Sequence, residues 1–131
     1  MTRSDLSPPE RHLLLIEDED PLRRALQLLL LGHGFRVHAF ARVRQALEHP
    51  SALAASHLVV DYVLPETDGI EALRELREQG WIGCAILVTA FYTPRLREAA
   101  IAAGFSDVLA KPFHDAALIE ALALGPRAAA S

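Results

Sequence analysis

Five polar side chains on this chain are candidates for shared chemistry: Glu17, Asp18, Asp61, Thr89 and Lys111. Each ends or directly follows a short apolar run that is typical of a strand buried on both faces of a sheet. Because the carboxyl ends of parallel strands meet at one edge of a sheet, we expect these side chains to converge on one cleft. Three carboxylates packed together repel one another unless a cation lies among them. The pattern therefore predicts a cation site.

The stretch from His57 to Gly69, HLVVDYVLPETDG, contains the acid that we interpret as the reactive residue, Asp61. A carboxylate can be the nucleophile towards a phosphoryl group. Mg²⁺ suits such a site, because it takes oxygen ligands and binds through one or two carboxylates together with phosphate oxygens. Lys111 offers a compact positive charge to a phosphoryl oxygen, and the Thr89 hydroxyl offers a hydrogen bond.

Turn and capping residues divide the chain into five strand–helix pairs, which predict a parallel sheet with right-handed crossovers. In strand order 2-1-3-4-5 the switch point lies between strands one and three, which places Asp18 beside Asp61. Thr93-Pro94 and Asp20-Pro21 look like helix starts, with Asp20 as an N-cap, and Asp68-Gly69 looks like a turn that starts the third helix. The predicted strands are residues 12–16, 36–40, 58–61, 84–89 and 107–110, and the predicted helices are 21–32, 41–48, 70–79, 93–103 and 114–124.

Composition limits the range of functions. The 131 residues suffice for one domain, 51% of them are apolar, and the net charge of −4 without basic runs argues against nucleic-acid binding. No apolar run approaches the ~20 residues of a membrane span, and the polar N-terminus does not resemble a signal peptide. One cysteine, Cys84, fits a reducing compartment, so we expect a cytoplasmic protein. We expect a disordered lead-in (1–10), one domain (11–125) and a flexible tail (126–131).

The chain resembles a response-regulator receiver domain of two-component signalling over roughly residues 11–125. Each matching motif is weak alone, but all four occur in order, each at the end of a predicted strand. The resemblance implies a flavodoxin-like, three-layer α/β sandwich. With no effector domain in the sequence, it suggests the stand-alone, single-domain type. The motifs are Glu17-Asp18 in LLIEDEDP, Asp61 followed by LPETDG, Thr89-Ala90 in ILVTA, and Lys111-Pro112-Phe113.

The resemblance also implies how the site works. Asp61 would accept a phosphoryl group from a histidine kinase or a histidine phosphotransfer protein. Glu17 (through water), Asp18, Asp61 and the backbone carbonyl of Val63 would hold Mg²⁺. Such a protein is a signalling switch rather than an enzyme, although it assists its own phosphorylation and dephosphorylation.

Further implications concern the neighbouring residues. Thr89 and Lys111 would bind the phosphoryl group, and the peptide bond between Lys111 and Pro112 would be cis, which is a minority state for X-Pro bonds. The chain departs from the family at Val108, where an aromatic residue is usual and swings inward when the threonine moves. Val63 and Phe91 are apolar at two positions that tune phosphoryl lifetime in the family, and we expect them to shield an acyl phosphate.

Two other functions remain open. A phosphorylation-independent scaffold of receiver-like fold is favoured only by Val108. An aspartyl-phosphate hydrolase would need a second acid two residues after Asp61, and Val63 occupies that position. The acids from Glu17 to Asp20 could also serve only to start a helix.

The last predicted helix, residues 114–124, is apolar almost all round, whereas a surface helix should show a polar face. Leu28 and Leu31 also lie off the inward stripe of the first helix. We therefore expect a homodimer through the last helix. The six histidines share no metal-ligand spacing, so solvated or core histidines are the default interpretation.

Overall fold

The computed structural model describes residues 11–125, so the predicted lead-in and tail lie outside the described residues. Strands and helices alternate as predicted, with one short additional hairpin after the third strand. The elements are β1 (Arg11–Ile16), α1 (Asp20–Gly32), β2 (Phe35–Phe40), α2 (Val43–Leu47), β3 (His57–Asp61), β4 (Val63–Leu64), β5 (Thr67–Asp68), α3 (Gly69–Glu78), β6 (Cys84–Thr89), α4 (Pro94–Ala103), β7 (Asp107–Ala110) and α5 (Asp115–Ala123).

The main sheet has five parallel strands in the order β2-β1-β3-β6-β7. This is the predicted order 2-1-3-4-5, because the strands of the hairpin do not belong to this sheet. The switch point lies between β1 and β3, where Ile16 pairs with Val60. The residues that follow, Glu17 and Asp61, therefore leave the sheet side by side at its carboxyl edge.

Successive residues of the central strands feed two apolar cores, one on each face of the sheet. Leu14 and Ile16 face the core under α2, α3 and α4, whereas Leu13 and Leu15 face the core under α1 and α5. All four side chains are fully buried. This two-sided burial explains why the strands appear in the sequence as continuous apolar runs.

Side-chain capping fixes the starts of two helices near the cleft. Thr93 caps α4 by accepting the N–H of Leu96, and Asp68 caps α3 by accepting the N–H of Glu71. Both residues were predicted to start a helix. At α1 the prediction was wrong by one residue: the N-cap is Glu19 rather than Asp20.

Local hydrogen bonds explain why α1 begins one residue earlier than predicted. The carboxylate of Glu17 accepts the N–H of Glu19 at 3.1 Å, and Asp20, within the first turn, pairs with Arg23 instead of capping.

The segment between Asp61 and α3 was predicted as a loop, but β4 and β5 form a two-residue antiparallel pair. Pro65 and Glu66 make the turn, with Glu66 in the left-handed region at φ 69°. Pro followed by a residue with positive φ is the pattern of a type II turn. Four paired residues are too few to show an alternating pattern, so the sequence could not reveal this hairpin.

Glu66 provides a test of this turn. A residue with a Cβ costs about 1–2 kcal/mol in the left-handed region, so Glu66→Gly should raise the free energy of unfolding by about 0.5–1 kcal/mol after the entropy of glycine is subtracted. Glu66→Ala is the matched control, because it keeps the strain and removes only an exposed contact with Arg42 at 4.0 Å. Equal stabilisation by both variants in urea denaturation would contradict the strain argument.

The last helix leaves less apolar surface exposed than the sequence suggested. Leu118, Ala121 and Leu122 are buried against the sheet, and the outward residues of α5 include two alanines and Glu120. Leu124, just after the helix, is 68% exposed. Within residues 11–125, no helix is both long enough and apolar enough to span a bilayer.

Candidate functional site

The predicted site residues lie at the carboxyl edge of the sheet. Glu17 and Asp18 follow β1, Asp61 ends β3, Thr89 ends β6, and Lys111 follows β7. The ladder continues past the strand ends, since the N–H of Lys111 donates to the carbonyl of Thr89 at 2.8 Å. Backbone pairing thus sets the position of each functional side chain.

Lys111 joins the two buried acids. Its Nζ donates to Oε1 of Glu17 at 2.8 Å and to Oδ2 of Asp61 at 2.9 Å. The Glu17 side chain is fully buried, and the exposed fractions are 9% for Asp61 and 15% for Lys111. The contacts are charge-assisted hydrogen bonds in a site largely shielded from water, where such bonds are strong.

Burial and charge shift the acid–base properties of this group in opposing ways. Burial raises the pKa of Glu17, the hydrogen bond from Lys111 partly offsets that effect, and the nearby Asp61 adds to the rise. Burial alone would lower the pKa of Lys111, but its hydrogen bonds to Glu17 and Asp61 outweigh burial and raise it. Lys111 therefore remains a cation held between carboxylates.

Three carboxylates form a group that could hold a metal ion. One oxygen from each of Glu17, Asp18 and Asp61 lies within 4.8 Å of the others, with Asp18 exposed to solvent. Among residues 11–125 this is the one such group of three or more acidic, histidine or cysteine ligands. Carboxylate oxygens suit a hard cation such as Mg²⁺, and the open side at Asp18 leaves room for the water molecules that Mg²⁺ retains.

The backbone of the hairpin makes a fourth oxygen available. The N–H of Gly69 donates to the carbonyl of Tyr62 at 2.9 Å, which makes these two residues a hydrogen-bonded pair. Pairs alternate along an antiparallel ladder, so the next pair, Val63 with Asp68, is not hydrogen-bonded. The carbonyl of Val63 therefore points away from the partner strand, and its role as a metal ligand stays a prediction.

Thr89 and the peptide after Lys111 complete the cleft. Thr89 is fully buried, and its hydroxyl oxygen accepts the N–H of Phe91 at 2.9 Å, which leaves the hydroxyl hydrogen free to donate. The Lys111–Pro112 peptide bond is cis, so that prediction is confirmed. Val108 is buried and pairs with Leu87, so an aliphatic side chain occupies the predicted switch position.

Two residues support the site without having been predicted to do so. Arg23 of α1 donates to the backbone carbonyl of Glu17 at 2.9 Å. Gly69 lies so close to Asp61 that a Cβ at this position would stand 2.6 Å from the Asp61 carbonyl oxygen. The Asp68-Gly69 pair was predicted only to start a helix. A glycine at the first position of a helix, where alanine is the better helix former, was the available signal.

Comparisons with known proteins point to one family. The response regulator receiver domain family matches residues 13–123. The chain is 33% identical over 103 residues to the KDP operon transcriptional regulatory protein KdpE of Escherichia coli, which covers 78% of this chain and 45% of KdpE. It is 30% identical over 108 residues to the transcriptional regulatory protein FixJ of Rhizobium meliloti, covering 82% of this chain and 53% of FixJ. The chain thus spans about half the length of these relatives.

Solved structures show the same fold. The chemotaxis protein CheY4 of Vibrio cholerae superposes with a TM-score of 0.81 at 22% identity, covering 88% of this chain and 98% of CheY4. The receiver domain of Klebsiella pneumoniae RstA, solved in a BeF3-activated form, superposes with a TM-score of 0.78 at 25% identity, covering 87% of this chain and 97% of that one. With the family match over residues 13–123, the chain belongs to the response regulator receiver domain family.

Proposed function

We propose that this protein is a phosphoacceptor in two-component signalling, in which Asp61 takes a phosphoryl group from a histidine kinase or histidine phosphotransfer protein. Receiver domains are signalling switches rather than classical enzymes, and we assign this chain the same role. The single observation that carries the proposal is the contact of Lys111 with both Glu17 and Asp61 at 2.8 and 2.9 Å. It holds a cation beside the acid that we propose as the nucleophile.

In the proposed reaction an oxygen of the Asp61 carboxylate forms a bond to phosphorus while the phosphorus–nitrogen bond of the donor breaks. Lys111 screens the negative charge that would otherwise oppose the approach of an anionic phosphoryl group. The Thr89 hydroxyl donates to a phosphoryl oxygen. Mg²⁺, held by Glu17 through water, by Asp18 and Asp61, and by the Val63 carbonyl, would neutralise charge on the phosphoryl oxygens.

The test is phosphoryl incorporation from a small phosphodonor, measured by intact mass with Mg²⁺ or with a chelator. We expect a Mg²⁺-dependent adduct on the wild type and none on Asp61→Asn. Asp68→Asn is the matched control, since Asp68 is a nearby acid whose role is to cap α3, and asparagine caps equally well. A folded wild type that takes up no phosphoryl group would overturn the proposal and favour the phosphorylation-independent scaffold. The hydrolase alternative has no support, because the position it needs is Val63.

The lifetime of the phosphorylated state is a further prediction. Val63 and Phe91 are 50% and 65% exposed beside the cleft, where apolar side chains would keep water from the acyl phosphate. Val63→Asn should speed dephosphorylation about fivefold, because an amide that holds the attacking water adds a hydrogen bond of about 1 kcal/mol. Val63→Ala, which only reduces the shield, should have a smaller effect. An asparagine variant that decays more slowly than the wild type would refute shielding.

Dimerisation through the last helix remains a prediction, and fewer exposed apolar residues support it than the sequence suggested. The exposed large apolar residue near α5 is Leu124, while Leu28 and Leu31 on α1 are 64% and 59% exposed, as their positions in the sequence predicted. Sedimentation velocity over a range of concentrations, with and without a phosphoryl mimic, should reveal a dimer that Leu124→Ser weakens. A concentration-independent monomer under both conditions would remove this prediction.

We also infer a cytoplasmic location and no direct contact with nucleic acid. The support is a buried, unpaired Cys84 and the net charge of −4. KdpE and FixJ are transcriptional regulatory proteins, but the chain matches only about half of each.

A further inference from the structure

Three histidines from separate segments meet beside β2, the strand at one edge of the sheet. His12 lies near the start of β1, His38 lies in β2, and His49 follows α2. The His12 and His38 rings have centroids 5.3 Å apart, and those of His38 and His49 are 4.7 Å apart. All three are partly buried. We refer to them as the histidine cluster.

His12 and His38 share a hydrogen bond in the plane of their rings. Nδ1 of His12 lies 3.0 Å from Nε2 of His38, and the ring planes differ by 2°. Parallel rings stacked face to face cannot approach much closer than about 3.5 Å, so a 3.0 Å contact between nitrogens lies mainly within the plane. One nitrogen must then carry a hydrogen and the other a lone pair. If both nitrogens carry a proton, this bond is lost.

His49 is held by a contact that also needs a lone pair. Its Nδ1 accepts the backbone N–H of Ser51 at 3.1 Å, and its ring packs edge-on against Phe40 with centroids 5.5 Å apart. Proton uptake at Nδ1 would turn this acceptor into a donor facing another donor. Neutral imidazoles thus satisfy both polar contacts in the cluster.

The surrounding charges oppose protonation. Burial lowers the pKa of His38, and the positive charges of His49, His12 and Arg36 lower it further. These groups belong to β1, to β2 and to the segment after α2. Each proton bound by one ring therefore makes the next less favourable.

We propose that the histidine cluster is a proton-sensitive contact, in which the ring of His49 packs on His38 and Phe40 of β2 at neutral pH, and that charge on the cluster loosens the segment of residues 43–56 on acidification. The sign follows from linkage. A histidine whose pKa is lower in the folded protein than in the unfolded chain stabilises the fold fully above its unfolded pKa of about 6.5. That stability is lost as the pH falls through the unfolded value towards the folded one. The contact should therefore weaken as the pH falls below about 6.5.

The decisive measurement follows the imidazole resonances of the wild type by NMR as the pH is lowered. We expect the pKa of His38 to be lower than the ordinary value, because of burial and of the nearby positive charges, and replacement of His49 to bring it back towards that value. Hydrogen exchange, corrected for the pH dependence of the intrinsic rates, should show that the protection of the backbone amides of residues 43–56 falls several-fold over the same pH range. The protection of the amides of β3 should not change. A His38 pKa at the ordinary value that replacement of His49 does not change, together with unchanged protection of residues 43–56, would overturn the proposal.

The pH dependence of equilibrium unfolding is a second test of the proposal. Between about pH 7.5 and about pH 5.5 the unfolding constant of the wild type should rise several-fold more than that of His38→Gln, because glutamine keeps a hydrogen-bonding group without titrating. His33→Gln, at an exposed histidine, should retain the wild-type dependence. Burial also lowers the pKa of His57. Because the wild type and both variants contain His57, its contribution to the pH dependence is the same in all three proteins. An identical pH dependence in His38→Gln and wild type would contradict the proposal, and if the variant does not fold, the NMR titration decides alone.

Discussion

Replacing Lys111 by methionine is expected to lower the free energy of unfolding by about 3 kcal/mol at neutral pH without divalent cations. The lysine is the direct cationic partner of Glu17, whose side chain is fully buried, and of Asp61, whose side chain is 9% exposed. Without it, neighbouring carboxylates face one another with no positive charge between them. Uptake of a phosphoryl group should also fall sharply, because nothing would screen the anionic donor. Urea denaturation and intact mass measure the two effects.

A charge-balanced double variant separates the effect of Lys111 on stability from its effect on phosphoryl uptake. Glu17→Gln combined with Lys111→Met removes one charge of each sign, so much of the stability should return. Phosphoryl uptake should stay low in the double variant, because the cation is still missing. Millimolar Mg²⁺ should stabilise the single variant more than the wild type, because without Lys111 a divalent cation would be the positive charge left to balance the carboxylates of the folded site. A Lys111→Met protein as stable as the wild type in a chelator would show that the buried carboxylates need no cation.

Much of this arrangement could be predicted from sequence because buried parallel strands have a plain signature. An apolar run that stops at a polar residue marks both the strand and its carboxyl end, so Asp61 and Thr89 could be placed before their contacts were known. The strand order was taken as one of the common doubly wound arrangements, because no residue pattern in the chain fixes it. The lysine contact needed one more step, namely that β7 ends on the same edge as β1 and β3.

Other features depend on contacts that no local pattern encodes. The hairpin pairs only two residues from each strand, which is too short to show periodicity. The histidine cluster depends on the parallel register of β1 and β2, in which His38 pairs with Leu14, so that His12 and His38 share a face. On α5, counting alanine as apolar overstated the exposed surface, because Leu118 and Leu122 face the sheet and two of the residues that lie outside are alanines.

Gly69→Ala should be the second most damaging substitution among these predictions. An added Cβ would lie 2.6 Å from the backbone carbonyl oxygen of Asp61 and 2.6 Å from Cδ1 of Leu87, which is fully buried. Neither neighbour can move away easily, because Asp61 ends a paired strand and Leu87 is packed in the core. Overpacking of this kind costs about 2–3 kcal/mol. A shift of the Asp61 backbone by about 1 Å would also slow phosphoryl uptake by as much as about 100-fold.

Gly32→Ala is the matched control, because a Cβ at the last residue of α1 would meet nothing within 4 Å. This variant should be as stable as the wild type or slightly more so, since alanine is the better helix former. Both variants should be compared for phosphoryl uptake at a temperature where circular dichroism shows them folded, so that loss of rate is not loss of fold. Uptake at the wild-type rate by a folded Gly69→Ala protein would mean that the close approach of α3 serves packing alone. Slow uptake would mean that the helix start sets the position of the nucleophile.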